Sequence, residues 1–139
     1  MSDNPTPHPA QIRGNLLGAA AASRVVVSDP AHYAVALAYD KADGAAAVVA
    51  RGTGLIAIKI REVAAQRGIG VLQAPVLARA LFHYAEAEGV IPQRLQAAVA
   101  LALEWADDRQ AGRPENPDTL ARCIAAIPEQ LDPLVSDDL

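Results

Sequence analysis

Ser28-Asp29-Pro30-Ala31-His32 is the stretch of this 139-residue chain best able to do chemistry on itself. An Asn or Asp side chain that folds back on its own carbonyl carbon closes a five-membered ring and can expel the next residue. Proline has no N–H, so Pro30 cannot attack that side chain in the opposite sense, and an Asp-Pro pair is steered toward backbone scission. A turn that holds the attack geometry would raise the rate by proximity. Taken alone, the same five residues describe a tight strand-to-strand turn, since Asp and Pro are ordinary turn residues.

The other reactive-looking residues are less promising. Asn4-Pro5-Thr6-Pro7-His8 and Asn116-Pro117 repeat an Asx-Pro pair without flanking strands, and both read as coincidence. Gly52-Thr53-Gly54 would present backbone N–H groups to an anion at a helix start. A phosphate loop needs more glycine and a Lys before Ser or Thr, so this is read as a turn into a helix. His32, His83 and Glu86 show no convergence of the three or four ligands a metal needs, and no metal or cofactor is assigned. Cys123, the only cysteine, forbids an internal disulfide and lies in Leu120-Ala121-Arg122-Cys123-Ile124, where a small buried helical residue is expected.

Composition narrows the partners. Net charge is -4 and the sequence pI about 5.2. A nucleic-acid binder needs a basic surplus against phosphate, so nucleic acid is excluded as a partner. No secretory signal and no run of about 18 apolar residues is visible. The chain is 52% hydrophobic but only 4% aromatic, which predicts a core of Val, Ile, Leu and Ala.

Residues 1–23 are read as an arm or linker, with prolines at 5, 7 and 9 and an alanine-rich stretch over 12–23 that could form a short helix. Residues 24–108 form the folded unit and 109–139 a tail with one small helix over 118–127. Within the unit, Arg24 to Ser28 and His32 to Tyr39 read as strands, with Tyr33, Val35, Leu37 and Tyr39 on one face. A turn at Lys41 to Gly44 leads to a third strand over Ala45–Ala50. A helix follows, with Thr53 as N-cap, an apolar stripe of Ile56, Ile60, Val63 and Ala64, and Gly68 ending it. Ile69 to Gln73 is a fourth strand and Pro75 to about Glu88 a helix. After Gly89 another helix opens at Pro92, with Leu95, Val99, Ala102 and Ala106 along one stripe. The order β, β, β, α, β, α, α predicts an α/β sandwich: one four-stranded mixed sheet, three to four helices, and a parallel crossover between strands three and four.

Four segments, in order and in register, resemble the FlhB/YscU/SctU family of type III secretion export-apparatus switch proteins. Val25 to Leu37 resembles that family's strand, Asn-Pro-Thr-His motif and second strand. Ala50-Arg51-Gly52-Thr53-Gly54 through Ala64 resembles its Lys-Gly segment and helix. Ala74-Pro75-Val76-Leu77-Ala78-Arg79-Ala80-Leu81-Phe82 resembles its Pro-Leu-Ala-Arg-Ala-Leu-Tyr helix, and Ile91-Pro92 through Ala100 its closing helix. The resemblance covers about 24–106 and implies a cytoplasmic domain under a membrane export gate, on the inner face of the bacterial inner membrane. Its partners would be export substrates and their chaperones, a needle- or hook-length regulator and other export-gate proteins. Self-cleavage in that family is coupled to a switch between early and late substrates. Carried over, Asp29 is the ring-forming residue, Pro30 the new N-terminus and His32 the turn-supporting partner, with Arg51, Arg61 and Arg79 as partner-facing charges.

Two motif positions depart: Asp29 stands for Asn and Ala31 for Thr. A carboxylate must close to a strained anhydride and expel an amine that needs a proton, whereas an amide closes to a stable succinimide. Losing the Thr hydroxyl removes a hydrogen bond worth about 1 kcal/mol. Slow or absent self-cleavage at neutral pH is therefore expected, and no trans-acting catalysis. A free-standing paralogue used as a binding module and a fragment of a longer anchored protein both fit the sequence. A nucleotide-binding enzyme would need a glycine loop that is not here. The acidic tail after 107 leans toward an injectisome rather than a flagellum.

Overall fold

The computed structural model describes residues 16–39, 44–85, 89–114 and 116–128. The Asn4-Pro5 echo, the turn over 41–43, Glu86 and the end of the chain past 128 lie outside these residues. Among the described residues, four strands and five helical segments follow in order: α1 (16–21), β1 (Val25–Asp29), β2 (Tyr33–Tyr39), β3 (Ala46–Thr53), α2 (Gly54–Gln66), β4 (Gly70–Gln73), α3 (Pro75–Tyr84), α4 (Gln93–Gln110) and α5 (Pro117–Ala125). The α/β sandwich predicted from the sequence is the fold observed.

The strands line up as β3-β2-β1-β4. β1 and β2 are antiparallel, as are β2 and β3, while β4 runs parallel to β1. β3 and β4 therefore point the same way, as the intervening helix predicts, but they are not neighbours. α2 carries the chain from one edge of the sheet to the other. Three strand spacings are about 14 Å, and a helix of 13 residues rises about 20 Å, long enough to cross.

Alternation along β1 assigns its residues to two layers. Val25 and Val27 face α3, α4 and α5, in a core with Val35, Leu37, Leu77, Leu81, Leu95 and Cys123. Val26 faces the other way, onto Ala57, Ile60 and Ala64 of α2 and onto Ala20 of α1. Both cores are aliphatic and rich in alanine, as the composition predicts. The Val-Val-Val run is hydrophobic throughout because both faces of a central strand are covered.

Packing continues past residues 24 and 108 in both directions. Ala20 is buried under α2, and α5 seals the far face with Cys123, which is 0% exposed and donates from Sγ to the Ala98 carbonyl at 3.4 Å. Asn116 is not idle: its side chain accepts from Asp118 N at 2.9 Å and caps α5, with Pro117 in the first turn. Burial pushes the Cys123 thiol from an ordinary 9.0 up to about 11. The folded chain thus keeps this proton to higher pH than the unfolded chain, and the associated stability is present below pH 9 and lost as pH rises toward 11. Unfolding free energy should fall by about 1.4 kcal/mol per pH unit in that window beyond the loss seen in Cys123→Ala. Denaturant melts of both proteins at pH 8 and 10.5 check this, and parallel losses would refute it.

Three local features differ from the sequence reading. Thr53 occupies the N-cap of α2, but its side chain makes no cap bond, because the residue is still extended and paired with Tyr33 as the last of β3. α3 stops at Tyr84 rather than near Glu88, and Ala85 is extended (φ -62°, ψ 137°). Arg51 Nη1 donates to the carbonyls of Phe82 (3.3 Å) and Ala85 (3.0 Å), the kind of partner that carbonyls at a helix end need. β3 carries a bulge: Ala36 faces Ala50 and Leu37 faces Val48, leaving Val49 as the extra, exposed residue. Gly68 does end α2, at φ +72°, with Ile69 N donating to the Ala64 carbonyl at 2.9 Å.

Candidate functional site

Pro30, Ala31 and His32 join the two central strands, with Asp29 and Tyr33 facing each other as the closing pair. His32 N donates to the Asp29 carbonyl at 3.0 Å, which makes 29–32 a β-turn with proline in its second position. Ala31 N donates to Asp29 Oδ1 at 3.2 Å, the local bond that Asp and Asn make in turns. The turn is anchored from both sides. Ala74 N, at the start of α3, donates to the Ser28 carbonyl at 3.1 Å, and Gly54 N, at the start of α2, donates to the His32 carbonyl at 3.3 Å. The Gly54 amide that an anion loop would need is therefore already used.

Asp29 is buried, at 7% exposure, with a cation against it. Arg79 of α3 donates from Nη1 to Oδ2 at 3.3 Å, and the two side chains are 13% and 9% exposed. Removing one partner of such a pair costs on the order of 3–5 kcal/mol, because the other is left buried and uncompensated. Ser28 is fully buried on the opposite face, and Arg61 of α2 reaches its Oγ from Nη1 at 3.4 Å. Two guanidinium groups, one from each helical layer, thus meet consecutive residues at the end of β1.

The His32 imidazole is 69% exposed, and its Nδ1 stands 3.7 Å from Asp29 Oδ2, outside hydrogen-bond range. It is the backbone N–H of His32 that closes the turn. Tyr33 follows with a ring cluster that sequence reasoning missed: its centroid lies 4.9 Å from Phe82 and 5.6 Å from His83, and its hydroxyl 3.4 Å from His83 Nε2. Arg79, Phe82 and His83 share one face of α3, three to four residues apart, which was the available signal. His83 itself is exposed. Among the described residues, no three of His, Cys, Asp or Glu gather as a metal ion would require. Nor, among them, is any helix long and apolar enough to cross a membrane.

The sequence model of the FlhB HrpN YscU SpaS family matches residues 8–106, well over half of the chain and the whole of the turn with its supports. The chain belongs to this family. Flagellar biosynthetic protein FlhB of Salmonella typhimurium is 46% identical over 115 residues, 78% of this chain and 29% of that protein. FlhB of Yersinia enterocolitica is 49% identical over 82 residues, 58% of this chain and 21% of its own length. The chain thus spans under a third of these curated relatives. Among solved structures, the cytoplasmic domain of FlhB from Shewanella putrefaciens superposes with a TM-score of 0.67 at 34% identity, covering 78% of this chain and 94% of that one. An asparagine-to-aspartate mutant of the EscU C-terminal domain superposes with a TM-score of 0.61 at 27% identity, covering 66% and 98%. In this domain the three expected arginines divide: Arg51 is half-buried and bound to the end of α3, Arg79 is held by Asp29, and Arg61 lies half-buried beside Ser28.

Proposed function

We propose that this domain is the cytoplasmic part of a flagellar type III export-apparatus protein, lying beneath the gate on the inner face of the bacterial inner membrane. It engages export substrates and their chaperones and takes part in the switch between substrate classes. The observation that carries this reading is the Asp29-Pro30 turn between two central strands, set within a family match of nearly a hundred residues. The turn is the family's self-cleaving turn, slowed at neutral pH because its ring-forming residue is a carboxylate. The flagellar assignment is supported by the FlhB relatives at 45–46% identity over 115 residues, in place of the injectisome that the acidic tail favoured. Support for a binding role comes from a recess of about 300 Å³ between β2, β3 and α4, lined by Tyr39, Ala46, Ile91, Val99 and Leu103 among others. Its walls are mostly apolar, as protein-binding surfaces often are at their centre.

A chimera tests the reading. The matching stretch of Salmonella FlhB is replaced by this domain, and hook and filament growth are scored in cells lacking their own FlhB. Filaments are expected, with hooks whose length distribution is broader than normal because the switch is slow. Stable accumulation of the chimera with no secretion of any export substrate would refute the proposal.

A further inference from the structure

Two N–H groups meet the side chain of residue 29, and together they suit a carboxylate better than an amide. Ala31 N points at Oδ1 at 3.2 Å and Arg79 Nη1 at Oδ2 at 3.3 Å. A carboxylate accepts on both oxygens, so both donors are satisfied. An amide has one accepting oxygen and one donating NH2 group, so one of the two donors would face another donor. The charged contact is the stronger, and the amide oxygen would go to Arg79. The nitrogen would then lose its place opposite Ala31 and be left to rotate onto its own backbone carbonyl.

We infer that Arg79 is a positioning residue for the reaction at residue 29, holding an aspartate out of reaction and aiming an asparagine into it. This rests on the self-cleaving reading of the turn and names the side chain that sets the direction of the effect. With asparagine, the side-chain nitrogen bonds to the residue-29 carbonyl carbon, the bond to Pro30 N breaks, and the proton lost by the amide nitrogen passes through water to the departing proline nitrogen. A succinimide remains at residue 29. With aspartate, a carboxylate oxygen makes the new bond, Pro30 N leaves with a proton taken from water, and water then opens the anhydride to two carboxyl groups. In both cases charge builds on the residue-29 carbonyl oxygen, which already accepts from His32 N at 3.0 Å. Beyond the anhydride-versus-imide difference, the two reactions also differ in how the attacking group is held, and Arg79 holds it. The guanidinium is itself fixed, at 13% exposure, on the helix face whose Phe82 ring packs on Tyr33.

The test compares Arg79→Ala in the unsubstituted chain and in the Asp29→Asn background, with Arg79→Lys in each. Fragment formation at neutral pH and 37 °C is followed by mass spectrometry under denaturing conditions, and circular dichroism confirms folding. Arg79→Ala should raise scission of the chain that keeps Asp29 by roughly tenfold, the effect of one lost charged hydrogen bond in a barrier, and lower it by a similar factor in the Asp29→Asn background. Lysine should return both rates part of the way. Changes of the same sign in both backgrounds, which loosened packing alone would give, overturn the inference. If Asp29→Asn cleaves and Arg79→Ala moves neither rate, this inference falls and the self-cleaving reading stands. If no variant cleaves, both fall.

Discussion

Asp29→Asn should convert most of a purified sample into residues 1–29 and 30–139 at neutral pH, while the unsubstituted chain keeps a single mass. The side-chain nitrogen of asparagine closes to an imide that is itself an amide-like product, so the step is not uphill by much. The carboxylate of Asp29 closes to an anhydride, a far better acylating agent than the amide it came from, and the reverse attack by proline competes with hydrolysis. The β-turn and its bond from His32 N to the residue-29 carbonyl are made by backbone atoms and survive the substitution. Because β1 pairs with β2 over five residues and with β4 over four, the pieces should stay associated. Native gel filtration is expected to give an unchanged volume, and denaturing electrophoresis two bands. Equal scission of both proteins, or none in a folded variant, would rule this out.

Gly89→Ala should destabilise the domain by on the order of 3 kcal/mol or more, the range of backbone collisions combined with strain. A Cβ on Gly89 would sit 2.0 Å from the Val48 carbonyl oxygen and 3.1 Å from its carbon, and the residue is at φ +84°, where side chains are strained. The obstacle is backbone of an edge strand, so no rotamer change relieves it. The segment from Gly89 lies along β3, with Ala47 and Val90 forming a bridge, and pushing it away would uncover that edge. Gly112→Ala is the control: it has a similar φ of +76° with nothing within 4 Å of the added carbon. Urea melts should show a loss near 1 kcal/mol for the control, the strain alone. If Gly89→Ala loses no more than the control, the collision has no role.

Much of the fold could be read from the sequence because its signals are local. A β-branched run marked β1, period-two alternation marked β2, proline and glycine marked helix ends, and the stripe Leu95, Val99, Ala102, Ala106 is buried as a set. Sheet order could not be read that way. Nothing in Gly70-Val71-Leu72-Gln73 says that its neighbour is β1 across the sheet and not β3. The turn was legible down to its residues, since Asp-Pro between strands is a short-range pattern. Its supports were not. Arg51 and Arg79 look alike in the sequence as surface charges, and only the packing of α3 against β3 and β1 sets Arg51 of β3 against carbonyl oxygens and Arg79 of α3 against Asp29.

Ser28 and Asp29 sit on opposite faces of the sheet, each touched by an arginine from a different layer. Sliding of either layer against the strands would strip a contact from one of these residues and leave the other's intact. A force applied to α2 and a force applied to α3 would therefore leave distinguishable marks at the same peptide bond. In mechanical terms, the end of β1 works as a differential gauge for the two halves of the sandwich.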